Sequence, residues 1–321
     1  MRICGAILTT RITLDTICAL VNQSTNRPVI AAEDRLAASE RPTACMAFSG
    51  VRVKRHSAVD ALRLIQGDAV GRLQGKIAVV TGAGSGIGQE AARAFAREGA
   101  IVGLLDRNAP AVEATVREIG GNTFPLITDV TDEASVAAAF DEVRRRHGRL
   151  DVLYTCAAVQ LIGEDAPVHE LDIDVWQRTH DVNLRGVYLT CKHGVRLMME
   201  SGDGGSIINA GSPTGLTMSG AGWHAYSSSK AGVMGLTRVM AADYAPHGIR
   251  VNGIVPGSIE TTLTKPLMDD PEVRAKLVAL HPIGRVGTPQ DMAGIAVFLA
   301  SDESAFATGS HFHVDGGISV R

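Results

Sequence analysis

A tyrosine and a lysine, Tyr226 and Lys230, stand four residues apart in a segment whose apolar residues recur with the period of an α-helix. This spacing places both side chains on one face of a helix, about 6 Å apart along its axis. A phenol ordinarily loses its proton near pH ~10, but a neighbouring ammonium group stabilises the phenolate and lowers that pKa. The pair could therefore donate or accept a proton in catalysis, although the same spacing is common in surface pairs that have no chemical role.

A glycine-rich turn, TGAGSGIG at residues 81–88, lies between a predicted strand at 77–81 and a predicted helix at 86–98. Glycines at these positions let the backbone turn sharply and approach a pyrophosphate, which would lie against the free amides of the helix N-terminus. The flanking strand and helix favour a dinucleotide site over an ordinary tight turn.

Two acidic residues follow later predicted strands and bear on the choice of dinucleotide. Asp106 ends the second strand, where a carboxylate can accept hydrogen bonds from the adenosine ribose and repel a 2′-phosphate, which favours NAD over NADP. Arg107 comes next and could instead pair with that phosphate. The glycine-rich turn itself contains Ser85 and no basic residue. Asp129 follows the third strand and could contact the adenine or cap the following turn.

The elements that must position these residues alternate from Lys76 onward. Predicted strands lie at 77–81, 100–106, 123–127, 150–155, 206–210, 250–255 and 311–314. Predicted helices lie at 86–98, 109–119, 133–147, 175–200, 225–245, 271–280 and 289–299. This alternation predicts an α/β fold, a single doubly wound parallel sheet of the Rossmann type with helices on both faces, over residues 73–321. Residues 1–72 lack such a period, apart from a possible short helix at 58–66, and are expected to form a poorly ordered N-terminal extension.

Composition excludes several classes of function. The net charge of −3 comes from interspersed signs, which gives no basic stripe for nucleic acid. No apolar run is long enough to span a membrane. The five cysteines and the scattered histidines show no metal-binding spacing, so no metal is expected. A cytoplasmic location, where thiols stay reduced, fits best.

Taken in this order, the glycine-rich turn, Asp106, Asp129 and the Tyr/Lys pair resemble the short-chain dehydrogenase/reductase family, in the branch with a T-G-x-x-x-G-x-G loop. The resemblance implies that Tyr226 is the general acid/base and that Lys230 binds the nicotinamide ribose and lowers the phenol pKa. It also implies that Ser212 polarises the substrate oxygen and that Asn183 holds a water leading protons to the lysine.

The resemblance further implies a cofactor site and an activity. The segment 256–261 resembles the part of the family that binds the nicotinamide carboxamide. The implied activity is NAD-dependent interconversion of a small secondary alcohol and a ketone by a homotetramer built through the two long helices. An NADPH-dependent 3-oxoacyl-thioester reductase would share every catalytic residue, whereas a non-enzymatic dinucleotide sensor should have lost part of the set. The implied cofactor contacts are Gly82, Ser85, Gly86, Ile87, Gly88, Asp106, Arg107, Asp129, Val130, Cys156, Ala157, Tyr226, Lys230, Pro256, Gly257, Ile259 and Thr261.

One departure from the family pattern follows the fourth strand. The family usually has Asn-Asn-Ala-Gly where this chain has Thr155-Cys156-Ala157-Ala158, which puts the local hydrogen bonding in doubt. With no charged neighbour in sequence, Cys156 is predicted to be a packed thiol rather than a nucleophile. Residues 262–280 are expected to form a mobile lid over the substrate. Met218, Trp223 and His224 are further candidates for contact with the substrate.

Overall fold

A computed structural model of the chain describes residues 71–217 and 222–320. The predicted extension, except for residues 71 and 72, therefore lies outside the described residues, as do the predicted helix at 58–66 and Met218.

Seven parallel strands form one sheet in the order β3-β2-β1-β4-β5-β6-β7. Apolar runs such as β1 and β4 are buried along their whole length because helices cover both faces of a parallel sheet. The strands are β1 (Ile77–Thr81), β2 (Ile101–Asp106), β3 (Thr123–Ile127), β4 (Val152–Thr155), β5 (Gly205–Ala210), β6 (Ile249–Pro256) and β7 (His311–Val314). The predicted doubly wound sheet is confirmed.

Nine α-helices connect or follow the strands in the described part of the chain. Asn108, Asp132 and Asp270 cap three of them by accepting hydrogen bonds from first-turn amides. The helices are α1 (Gly86–Arg97), α2 (Ala109–Ile119), α3 (Glu133–His147), α4 (Ile173–His180), α5 (Gly186–Ser201), α6 (His224–Tyr244), α7 (Lys265–Met268), α8 (Pro271–Leu280) and α9 (Pro289–Ala300).

Two apolar clusters hold the helices against the two faces of the sheet. Side chains of α3, α5 and α6, such as Phe140 and Met234, pack in one cluster. Side chains of α1, α2 and α9, such as Phe95 and Met292, pack in the other. Burial of this apolar surface supplies the main stabilisation of such a three-layer arrangement.

The predicted helix at 175–200 is not a single α-helix. It begins at Ile173, and a π-helical turn at Asp181–Arg185 separates α4 from α5. A π turn widens the helix by an extra residue and is frequent at functional sites. Here it carries Asn183, whose side chain is fully buried. Hydrophobic periodicity cannot reveal one inserted residue, which explains the error.

The chain reverses direction across the sheet between β1 and β4. From β1 it proceeds outward to β2 and β3, and then returns to β4 on the other side of β1. Ligands of open α/β sheets bind at such a switch point, beyond the carboxyl ends of the strands. The segments that follow β1, β4, β5 and β6 all meet at this edge.

Candidate active site

The turn after β1 follows a path that side chains would obstruct. Gly82 has a φ of 68°, in the left-handed region that favours glycine. A Cβ on Gly88 would lie 2.4 Å from the carbonyl oxygen of Gly82, so α1 can pack this close to the turn only with glycine there. The backbone is thus exposed at the N-terminus of α1, and this cradle fits the pyrophosphate of a dinucleotide.

A cavity of about 190 Å³ extends from this turn along the carboxyl ends of β2 and β3. Twelve residues of the implied cofactor set line it, which brings together segments that are far apart in sequence. They are Gly82, Ser85, Gly86, Ile87, Gly88, Asp106, Arg107, Asp129, Val130, Cys156, Ala157 and Thr261.

Asp106 is held against the glycine-rich turn. Its carboxylate accepts hydrogen bonds from the amides of Gly84, at 3.1 Å, and Asn108, at 3.0 Å. Arg107 is exposed beside it. The negative charge of Asp106 therefore lies at the cavity edge in a fixed position.

Asp129 caps a turn as well as lining the cavity. Its Oδ1 accepts hydrogen bonds from the amide of Thr131, at 2.9 Å, and from the hydroxyl of Thr131, at 2.8 Å. The Thr131 amide, together with its hydroxyl and the charge of Arg107, lowers the pKa of Asp129 below its ordinary value. Asp129 therefore caps the turn that follows β3, which is one of the two roles predicted for it from the sequence.

A second cavity of about 210 Å³ adjoins the first, and the two share Ile87, Cys156, Ala158, Thr261 and Leu263 as lining residues. Ser212, Tyr226 and Lys230 line the second cavity. The remaining implied cofactor contacts, Pro256, Gly257 and Ile259, line it too. The two sites predicted separately from sequence are therefore continuous.

Tyr226 and Lys230 lie on consecutive turns of α6, as their spacing predicts. The Lys230 ammonium is 5.9 Å from the centre of the Tyr226 ring and donates a hydrogen bond of 2.9 Å to the carbonyl oxygen of Ala210. Only 2% of Lys230 is exposed. Ala210 ends β5, so this bond ties the helix to the sheet next to Ser212.

Burial favours the neutral form of both side chains and shifts their pKa values accordingly. It lowers the pKa of Lys230 to about 8, with Cys156 acting in the opposite direction. It raises the pKa of Tyr226 to about 12, with the Ser212 hydroxyl acting in the opposite direction. The spacing of Lys230 predicted a lowered pKa for the Tyr226 phenol. Burial instead raises this pKa above its ordinary value.

Ser212 lies at the carboxyl end of β5 in a constrained position. Its Oγ accepts a hydrogen bond of 3.3 Å from the amide of Thr214 and forms one of 2.9 Å with the hydroxyl of Thr214. With 7% of its surface exposed, the hydroxyl is buried at the cavity wall. A fixed hydroxyl of this kind can donate to an oxygen that gains negative charge.

The Asn183 side chain is engaged in the protein rather than directed to either cavity. Its Oδ1 accepts a hydrogen bond of 2.8 Å from the amide of Val159, and its Nδ2 donates to the Val159 carbonyl at 2.9 Å. Nδ2 also donates to the Ser229 hydroxyl at 3.2 Å. Asn183 thus joins the π turn, the segment after β4 and helix α6, immediately before Lys230.

Threonines supply the hydrogen bonds that the departure after β4 put in doubt. The Thr81 hydroxyl accepts hydrogen bonds from the amides of Cys156, at 2.9 Å, and Ala157, at 3.0 Å. The Thr155 hydroxyl donates to Asn209 Oδ1 at 2.7 Å, and Asn209 Nδ2 donates to the hydroxyl of Thr237 at 2.9 Å. This network braces β1, β4 and β5 against α6 without the usual asparagines.

Cys156 lies between the two cavities. Burial raises the pKa of its thiol to about 11, and Lys230 acts in the opposite direction. Such a thiol is protonated and weakly nucleophilic at neutral pH, in agreement with its prediction as a packed group.

A carboxylate that the sequence did not single out positions helix α6, which carries Tyr226 and Lys230. Asp165, in the loop after β4, accepts hydrogen bonds from the amides of Ala225, at 3.0 Å, and Tyr226, at 2.9 Å. Trp223, the residue before α6, provides no capping side chain. Sequence offered no signal for this cap because the two partners are brought together only by the fold.

The predicted lid, residues 262–280, contains α7 and α8 and contributes Leu263, Leu267 and Met268 to the second cavity. Trp223 also lines this cavity, whereas His224 is exposed and does not. In the ranges 71–217 and 222–320 no cluster of three or more potential metal ligands occurs. Nor do those residues include a helix long and apolar enough to cross a membrane.

Comparisons with known proteins agree with this geometry. A family model described as Enoyl-(Acyl carrier protein) reductase matches residues 82–319. A cis-4-hydroxycyclohexanecarboxylate dehydrogenase from Sinomonas cyclohexanicum is 43% identical over 76% of this chain and 97% of its own length. A D-threitol dehydrogenase from Mycolicibacterium smegmatis is 40% identical over 78% of this chain and 95% of its own.

Solved structures give the same result. The crystal structure of gox2181 superposes with a TM-score of 0.74 at 35% identity and covers 78% of this chain and 98% of that one. The matches span nearly the full length of each relative. The residues matched by the family model, 82–319, include the glycine-rich turn from Gly82 onward and the Tyr/Lys pair. The chain is an oxidoreductase that belongs to the short-chain dehydrogenase/reductase family.

Proposed function

We propose that this protein is an NAD-dependent oxidoreductase that interconverts a secondary alcohol and a ketone, with Tyr226 as the general acid/base. The observation that carries the proposal is the convergence of Ser212, Tyr226 and Lys230 on one cavity that is continuous with the dinucleotide cavity. Relatives named for the oxidation of a hydroxycyclohexane carboxylate and of a tetritol support a CH–OH substrate.

The proposed catalytic step needs one hydride acceptor and one proton acceptor. A bound nicotinamide would supply the group that accepts the hydride from the alcohol carbon. Tyr226 takes the hydroxyl proton, and Ser212 holds the substrate oxygen by donating a hydrogen bond. For reduction of a ketone, the same groups act in reverse, so that Tyr226 delivers the proton to the oxygen as its negative charge develops.

Lys230 and Asn183 are proposed to assist proton transfer by Tyr226 without contacting the substrate. The Lys230 ammonium lies near the Tyr226 ring and would favour the phenolate. Asn183 connects to Ser229, next to Lys230, which keeps the π turn and the catalytic helix in register. The water that Asn183 is proposed to hold would link Lys230 to solvent.

The preference for NAD rests on Asp106. Its carboxylate is fixed by the amides of Gly84 and Asn108 at the edge of the dinucleotide cavity. A ribose diol can donate hydrogen bonds to it, whereas a 2′-phosphate would be repelled. The exposed Arg107 is the group that would weaken this preference.

The proposal can be tested on the purified protein with a panel of secondary alcohols. Activity is measured as the formation of NADH. We expect Tyr226→Phe to lower kcat at least about 100-fold while NAD binds with nearly unchanged affinity. Tyr244→Phe, at the far end of the same helix, serves as the matched control and should retain activity. A Tyr226→Phe variant with the wild-type rate would contradict the assignment.

Cofactor preference is a separate measurement on the same protein. We expect kcat/KM with NAD to exceed kcat/KM with NADP by at least about tenfold. The carboxylate of Asp106 would accept hydrogen bonds from the ribose diol of NAD and would repel the 2′-phosphate of NADP. The alternative, an NADPH-dependent 3-oxoacyl-thioester reductase, is supported by a relative from Thermotoga maritima that is named 3-oxoacyl-[acyl-carrier-protein] reductase and is 35% identical over 78% of this chain. It requires the opposite preference and turnover of a thioester substrate.

A non-enzymatic dinucleotide sensor remains as a remote alternative. Retention of Asn183, Ser212, Tyr226 and Lys230 speaks against it, since a sensor has no need for the full set. The cytoplasmic location expected from the number and spacing of the cysteines is also part of the proposal.

A further inference from the structure

The lid segment is rich in charged residues, yet none of them lines the second cavity. Residues 262–280 include Lys265, Asp269, Asp270, Glu272, Arg274 and Lys276. What this segment contributes to the cavity is apolar, apart from Thr264. The apolar lining residues of the segment are Leu263, Leu267, Met268, Leu277 and Leu280.

The charged side chains of the lid are engaged outside the cavity. Lys265 pairs with Asp269 at 2.7 Å, and Arg274 pairs with Glu260 at 3.2 Å. Asp270 accepts hydrogen bonds from first-turn amides of α8 and thereby caps that helix. Glu272 and Lys276 are exposed. The fold therefore places the charged side chains of this segment in solvent, while its leucines and Met268 line the cavity.

Lys230 is the single residue with a cationic side chain among the described residues that line the second cavity. Its ammonium already donates to the Ala210 carbonyl, and burial lowers its pKa to about 8. Residues 218–221, outside the described part of the chain, are Met, Ser, Gly and Ala and carry no charged side chain. An anionic group on a substrate would therefore lose hydration without gaining a free counter-ion from the lining residues that the structure describes.

The polar lining is also limited. The hydroxyl of Thr264 donates to the carbonyl of Ile259 at 2.5 Å. The hydroxyl of Thr261 forms a hydrogen bond of 3.2 Å with the hydroxyl of Thr264. Gln160 offers one long neutral side chain. The polar side chains of Thr214, Trp223 and Ser258 also line the cavity, and most of the remaining wall is apolar. A polyol would therefore leave hydroxyl groups unpaired against apolar side chains, and each unpaired hydroxyl would lower affinity.

We infer that the substrate is an uncharged secondary alcohol, or its ketone, whose carbon skeleton is mainly hydrocarbon. This inference rests on the proposed function and adds the substrate class. It separates this protein from its relatives named for a hydroxycyclohexane carboxylate and for D-threitol. Among the described lining residues the one cation, Lys230, already donates to Ala210, and most of the wall is apolar.

Two alcohols of similar shape test the inference on the wild-type protein. In 4-methylcyclohexanol and 4-hydroxycyclohexanecarboxylate a methyl group and a carboxylate occupy the same ring position, and each is assayed as separate cis and trans isomers. We expect kcat/KM for the better methyl isomer to exceed that for either carboxylate isomer at least about 100-fold. Threitol should be an equally poor substrate.

Equal or better turnover of the carboxylate or of threitol would overturn the inference and leave the proposed function intact. Absence of turnover with every alcohol, with either dinucleotide, would overturn the proposed function and the inference together. The two failures are therefore distinguishable.

A variant with an added cation gives an independent test. Leu277→Arg places a guanidinium on α8 at the cavity wall and should raise kcat/KM for the carboxylate, relative to the methyl compound, at least about tenfold. Ala275→Arg, at an exposed position of the same helix, is the matched control and should leave the ratio unchanged. A thermal unfolding curve for each variant verifies that it is folded. An unchanged ratio in a folded Leu277→Arg variant would count against the inference.

Discussion

Lys230 has only 2% of its surface exposed, although lysines are almost never fully buried unless they are paired. Its pKa falls from an ordinary 10.5 to about 8 because burial penalises the charged form. Below pH ~8 the ammonium is charged in both the folded and unfolded states, so the penalty on folding is fully present. As pH rises from ~8 to ~10.5, the folded state loses its proton first and this penalty disappears.

Replacing this ammonium should therefore stabilise the fold at neutral pH. We expect Lys230→Met to raise the free energy of unfolding at pH ~7 by up to roughly 3 kcal/mol and to abolish most turnover. The gain over wild type should shrink as pH approaches ~10, and denaturant unfolding at several pH values measures it. Lys276→Met, at an exposed position of α8, is the control and should show no such pH-dependent gain. A gain that is independent of pH would contradict the explanation.

At the scale of elements, helix α6 depends on a carboxylate that lies outside it. Asp165 accepts from two first-turn amides, one of which belongs to Tyr226 itself. The first turn of a helix has unpaired amides, and an acidic cap also interacts favourably with the helix dipole. The loop after β4 thereby fixes where the catalytic helix begins.

Removing this cap should affect both stability and catalysis. We expect Asp165→Ala to lower the free energy of unfolding by about 1–2 kcal/mol and kcat about tenfold, with little change in dinucleotide affinity. Asp165→Asn retains one acceptor oxygen and should recover part of both losses. Asp132→Ala removes a comparable cap from α3 and should lower stability while leaving kcat unchanged. If the Asp165 and Asp132 variants lose kcat equally, Asp165 has no special role in positioning.

At the scale of the whole molecule, the long helices expose apolar side chains. Tyr188 on α5 is 49% exposed and Val239 on α6 is 60% exposed. A second copy of the chain packed on these helices would remove such apolar side chains from solvent. This observation supports the tetramer that the family resemblance implies.

Sedimentation measures the predicted assembly directly. We expect the wild-type protein to sediment with the mass of four chains, and the double variant Tyr188→Asp, Val239→Asp to form smaller species, because charges in an apolar interface lose their hydration. Ile127→Asp alters an equally exposed apolar residue on β3 and should leave the mass unchanged. A wild-type peak at monomer mass would refute the prediction.

Local residue patterns were enough to predict the parallel sheet, the glycine-rich turn, and the Ser212, Tyr226 and Lys230 set. Buried strands read as continuous apolar runs, the turn after β1 needs glycine at Gly82 and Gly88, and one helical turn brings Tyr226 and Lys230 to the same face. These features depend on local backbone geometry, which neighbouring residues specify. Even the position of Ser212 at the end of β5 followed from the pattern of strands.

Contacts between segments distant in sequence could not be predicted from these patterns and became visible in the folded chain. The fold paired Asp165 with the start of α6, engaged Asn183 with Val159, and braced β4 through Thr155 and Asn209. It also inserted the π turn and directed the charges of the lid away from the cavity. Such contacts depend on the packing of several elements at once, and burial then sets the pKa of Lys230. No local pattern of residues encodes that environment.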